Sequence, residues 1–141
     1  MFRTIEWLDD ENAVRMVDQT KLPLQTDYIV TQSHERVAQA IRVMEIRGAP
    51  AIGAAAGMGM ALAAIESRAE TREKLISFLE RAAATLNVRP TAVNLTWATS
   101  RMLSVVRKSD APVDEMVRRL VQEAKDIAEE DVAMCRQIGE I

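Results

Sequence analysis

The chain has 141 residues, 48% of them hydrophobic and 28% charged, with a formal net charge of −3. That length suits one compact domain with a real core, and the mild acidity gives no attraction to nucleic acid or an anionic membrane as main partner. A single cysteine, Cys135, excludes an internal disulfide or a cysteine-built zinc site within these residues, and a single histidine, His34, excludes any site needing two.

Aromatics are only 4% of the residues, while Ala, Leu and eight Met are plentiful, a mixture that favours helix over strand. The exception is the start of the chain. Ile5-Glu6-Trp7-Leu8, Ala13-Val14-Arg15-Met16-Val17 and Tyr28-Ile29-Val30-Thr31 are short runs rich in strand formers, separated by polar turns. They predict a three-stranded antiparallel meander over residues 1–32, too small to stand without packing on the remainder of the chain. Asp9-Asp10-Glu11 reads as one of its turns, since it lacks the spaced oxygen ligands of a calcium loop.

From Ser33 the helical period takes over, and residues 33–141 predict a bundle of about five helices. The fold class is therefore α+β and mostly helical. Ser33 is an N-cap for a helix whose inner face is Val37, Ala40, Ile41 and Met44. Pro50 marks the start of a second helix. The Ala/Gly/Met run from Ala49 to Ile65 has residues too small for strong membrane insertion and reads as a buried core helix. Gly53, Gly57 and Gly59 each cost on the order of 1 kcal/mol relative to alanine in a helix, which a neighbour pressed against that face would justify.

A third helix spans Thr71 to Leu86 with Leu75, Phe78, Leu79 and Ala82 inward. A fourth opens after Pro90 with Thr91 as cap and Val93, Trp97, Met102 and Val105 inward. The last runs from Pro112 to Gly139 on a stripe of Val113, Met116, Val117, Leu120, Ala124, Ile127 and Ala128. Its Arg118, Arg119, Glu123, Lys125, Glu129 and Glu130 read as a solvated face. His34 reads as a surface residue and Cys135 as a small apolar filler. With no apolar core of a secretory signal at the amino terminus, the expected compartment is the cytoplasm.

Two segments carry more than structure requires. In Arg47-Gly48-Ala49-Pro50-Ala51-Ile52-Gly53 an arginine stands just before a helix start, where free backbone N–H groups and the positive end of the helix dipole converge. Gly48 allows close backbone approach and Arg47 offers two parallel hydrogen bonds, together an anion site suited to a phosphate ester. A plain turn before a proline-started helix accounts for the same residues. Arg89-Pro90-Thr91-Ala92-Val93-Asn94-Leu95 repeats the arrangement, and a capped helix beside a surface arginine is again the simpler alternative. Two such arginines in so short a chain would suit a small anion held from both sides.

Both segments resemble the hallmark strings of the methylthioribose-1-phosphate isomerases. Ile5-Glu6-Trp7, Asp18-Gln19-Thr20-Lys21-Leu22-Pro23 and Ile138-Gly139-Glu140 match in order and spacing too, so the resemblance runs along essentially the whole chain. The resemblance implies an aldose–ketose isomerase of methionine salvage, converting 5-methylthioribose 1-phosphate to 5-methylthioribulose 1-phosphate without metal or other cofactor. It implies that Arg47, Gly48, Ala49 and Arg89 bind substrate near its phosphate. The family's catalytic cysteine and aspartate belong to a Rossmann-like carboxy-terminal domain outside these residues, and the full-length enzyme pairs as a homodimer. Cys135 lacks the Gly/Ala-rich context of that cysteine, so the chain alone is expected to be inactive. Isomerases of 5-deoxyribose 1-phosphate or ribose 1,5-bisphosphate, and the non-catalytic regulatory subunits of the translation-initiation exchange factor, are the related alternatives.

Overall fold

In the computed structural model, which describes residues 5–18, 27–43, 45, 49–87 and 93–139, a three-stranded sheet leads into five helices. Strands β1 (Ile5–Leu8), β2 (Ala13–Val17) and β3 (Tyr28–Thr31) form an antiparallel meander in that order. Trp7 faces Val14 across the first pair and Met16 faces Ile29 across the second. The β1–β2 turn closes with Glu11 N–H donating to the Leu8 carbonyl at 3.2 Å. Asn12 takes the left-handed conformation there (φ 48°), which its short polar side chain tolerates. Alternation buries Ile5 and Trp7, leaves Arg15 outside, and packs β1 against the helices.

Helices α1 (His34–Arg42), α2 (Ala49–Ser67), α3 (Arg72–Leu86), α4 (Val93–Arg107) and α5 (Val113–Gly139) complete the chain. Ser33 caps α1 by accepting from Arg36 N–H, and Thr71 caps α3 by accepting from Lys74 N–H. The expected inner faces of α1, α3 and α5 are buried or partly buried wherever their residues are described. Met44 and Thr91 lie outside the described residues. The central helix is α2, which contacts all four others. From Gly53 to Ala64 every residue is buried. A Cβ on Gly57 would meet Ile127 Cδ1 at 3.1 Å, and one on Gly59 would meet Leu86 Cδ2 at 2.9 Å, so these two glycines let α5 and α3 approach closely. Among the described residues no helix is long and apolar enough to cross a membrane.

Three expectations change. Trp97 is 47% exposed, not inward. The inner stripe of α4 is instead Leu95, Ala98, Thr99, Met102, Leu103 and Val106, and Trp97 stands about 200° around the helix from Leu95 at roughly 100° per residue. His34 is buried, not on the surface: its Nδ1 lies 3.0 Å from Glu66 Oε2 and its backbone N–H donates to Glu66 Oε1 at 2.6 Å. The charged side of α5 is only partly solvated. Glu123 and Glu130 hold Arg101 of α4, and Lys125 Nζ meets Asp9 Oδ1 at 2.5 Å.

Candidate functional site

Short connections make neighbouring helices antiparallel, and polar contacts fix which ends meet. The start of α1 joins the end of α2 through His34 and Glu66. The start of α3 joins the end of α4, because Arg72 donates to the carbonyls of Ser109 (2.8 Å) and Arg107 (2.8 Å). The starts of α2 and α4 therefore lie together at the opposite end, and these two helices pack directly on one another. Gly59 faces Leu86, and Asn87 Nδ2 donates to Thr99 Oγ1 at 3.4 Å, which sets the axial levels. Ala49 is ten residues before Gly59 and Val93 six before Thr99, so at 1.5 Å per residue the two starts differ in level by only roughly 6 Å.

Two parallel helix starts at one end aim two positive dipole ends and several free N–H groups the same way. Ala49 opens α2 as its first residue. Arg47, Gly48 and Arg89 fall outside the described residues, as does the segment Arg89–Ala92 that precedes α4. The structure thus brings together the pair of helix starts, and it does not describe the arginines. Cys135 lies within the span of α5.

Near the start of α4 the periodic reading missed a polar assembly. Trp97 lies under the guanidinium of Arg101, 5.4 Å from the ring centroid. Arg101 donates to Glu123 Oε1 at 2.6 Å and to both oxygens of Glu130, at 3.1 and 2.6 Å. These hydrogen bonds raise the Arg101 pKa further and lower that of Glu130. The signal was available: a Trp followed by Arg at i+4, in a chain with two tryptophans, is a stacked pair on a helix surface. Asn87 caps α3 at the same end, and its Oδ1 is buried with no partner.

Comparison with known proteins agrees with this architecture. Residues 45–141 match the model of the initiation factor 2 subunit family. The methylthioribose-1-phosphate isomerase of Geobacter sulfurreducens is 47% identical over 140 residues, 98% of this chain and 40% of that protein. The crystal structure of 5-methylthioribose 1-phosphate isomerase from Pyrococcus horikoshii superposes with a TM-score of 0.84 at 45% identity, over 92% of this chain and 36% of that one. The translation initiation factor eIF-2B subunit delta from A. fulgidus gives a TM-score of 0.85 at 39% identity, over 94% and 38%. The chain spans about 40% of the length of the curated relatives it matches.

Proposed function

Because the chain belongs to the initiation factor 2 subunit family, we propose that it is the substrate-binding amino-terminal part of a sugar-phosphate isomerase that converts 5-methylthioribose 1-phosphate to 5-methylthioribulose 1-phosphate. The observation that carries the reading is the pair of parallel helix starts, α2 and α4, each preceded in sequence by an arginine. In this reading Arg47, Gly48, Ala49 and Arg89 converge on the phosphate. The guanidinium groups supply planar, bidentate donors and the helix starts supply backbone N–H groups. The anomeric oxygen of a sugar 1-phosphate is esterified, so a tight hold on the phosphate fixes the reacting carbons in position. The acid–base pair that moves hydrogen between C1 and C2 comes from a Rossmann-like domain in the remaining length of such an enzyme. The whole enzyme works as a cytoplasmic homodimer.

The likeness to the eIF-2B subunit delta supports a second reading, a non-catalytic assembly module built on the same bundle. Titration of the 141-residue chain with 5-methylthioribose 1-phosphate separates the two. The isomerase reading expects saturable binding, with amide shifts at the starts of α2 and α4, and no turnover. Arg89→Ala then weakens binding by about 1.5–3 kcal/mol, the loss of a charged hydrogen bond. Arg89→Lys recovers only part of it, since lysine is a point charge and not a planar fork. Binding that neither Arg47→Ala nor Arg89→Ala alters would overturn the site, and absence of binding would favour the assembly module.

A further inference from the structure

Most described cations of this acidic chain are already engaged. Arg15, Arg36, Arg101, Arg107, Arg119 and Lys125 pair with carboxylates, Arg72 with carbonyls, and Arg42 is also partnered. Among the described residues, Arg68, Lys74, Arg81, Lys108 and Arg118 have no carboxylate or carbonyl partner for the charged group. Three of these five, Arg68, Lys74 and Arg81, line a single open cleft of about 440 Å³ at the α2–α3 corner. That corner is the end of the bundle opposite the starts of α2 and α4.

The cleft has a definite construction. Lys74, Ser77, Phe78 and Arg81 stand at i, i+3, i+4 and i+7, one face of α3. The loop that closes the cleft leaves α2 through Arg68 in the left-handed conformation, φ 48°. Phe78 holds the geometry: the Arg81 guanidinium lies 5.8 Å from its ring centroid, and the His34 ring packs against it in a T-shaped arrangement with centroids 5.9 Å apart. His34 is in turn fixed by Glu66. One carboxylate, Glu70, also lines the cleft, so the lining carries three positive charges against one negative.

We propose that this cleft is a binding site for a multiply charged anion, a polyphosphate or phosphate ester with at least two anionic groups. Three cations lining one concavity make its potential positive, and that potential attracts a divalent or higher anion more strongly than a monovalent one. The Ser77 hydroxyl adds a neutral donor on the same face. The site is independent of the isomerase reading, because it uses none of the residues assigned to that phosphate.

The test is titration of the 141-residue chain with pyrophosphate at constant ionic strength, followed by amide chemical shifts. Saturable shifts confined to residues 67–81 are expected. Lys74→Glu with Arg81→Glu should weaken binding at least about tenfold, the cost of one lost charged hydrogen bond. Lys108→Glu with Arg118→Glu makes the same change in net charge at residues that do not line the cleft and should weaken binding far less. Arg68→Gln alone, outside any helix, serves if circular dichroism shows the Lys74/Arg81 variant unfolded, and should weaken binding severalfold. Equal weakening by the two charge-reversed pairs, no effect of Arg68→Gln, or non-saturating shifts spread over the surface would overturn the proposal.

Discussion

Helices α2 and α5 pack against each other more extensively than any other pair of elements, yet they are built on opposite plans. Apolar residues run all round α2, and from Gly53 to Ala64 every one is buried. Among the described side chains of α5 the buried residues form one stripe of Met116, Leu120, Ala124, Ile127 and Ala128, flanked by the partly buried Val113, Val117 and Val121, and the opposite face is polar. The difference teaches where periodicity carries information. A helix with neighbours on one side records their direction as a 3.6-residue pattern, whereas a helix with neighbours all round records only how closely they approach, in its glycines and alanines.

That contrast is sharpest under charge insertion. Ala63 in α2 is fully buried, and Ala63→Asp puts a carboxylate in an apolar core that cannot solvate it. We expect Ala63→Asp to abolish the cooperative thermal transition, while Arg118→Asp on the outer face of α5 changes stability by no more than about 0.5 kcal/mol. A folded Ala63→Asp protein would mean that α2 is not enclosed.

The next effect concerns size. In Gly59→Val the new Cβ starts 2.9 Å from the buried Leu86 side chain and 3.5 Å from Val37. Overpacking of this kind should cost about 1–3 kcal/mol by urea unfolding. A second substitution, Leu86→Ala, opens space at the same point, so the pair should be less destabilised than the sum of the single variants. Strict additivity would break the claim that α3 seats on Gly59.

The smallest effect lies on the rim of α5. Arg101 holds the Glu130 carboxyl below its ordinary pKa. A carboxylate whose folded pKa is depressed contributes stability above the unfolded pKa and loses it as pH falls through the folded value. Glu130 is largely exposed, so wild type and Glu130→Gln should differ by less than about 1 kcal/mol at neutral pH. The gap should close as the medium is acidified through the carboxylate range. A difference that persists at low pH would assign the effect to packing.

These regions also divide what the residues disclose in order from what only the assembled chain reveals. The meander, the Ser33 cap and the stripe of α5 are local features, each determined by residues close in the chain. His34 read as a surface residue because its partner, Glu66, lies 32 positions away on another helix. Trp97 read as inward because a large apolar residue is ordinarily buried, and the acids that make its stacked Arg101 worth exposing belong to α5. For the candidate site, the two helix starts were legible from Pro50, Pro90 and the flanking arginines. Their placement at one end of the bundle was not, since it depends on the alternation of all five helices and the polar ties at the opposite end.

The close seat of α5 on α2 has a consequence during synthesis. Gly57 and Met58 leave the ribosome nearly sixty residues before Met116 begins the stripe that covers them. At roughly 5–20 residues per second that is several seconds. By the end of that interval the nascent chain holds α1, α3 and α4 around α2, whose last apolar side is still open. The partner that closes it also carries Lys125, whose contact with Asp9 joins positions 116 residues apart. Chains stopped shortly before α5 should therefore be captured by chaperones, and those extended past Ala128 should be released, because α5, made after the other four helices, is the one that seals the first core.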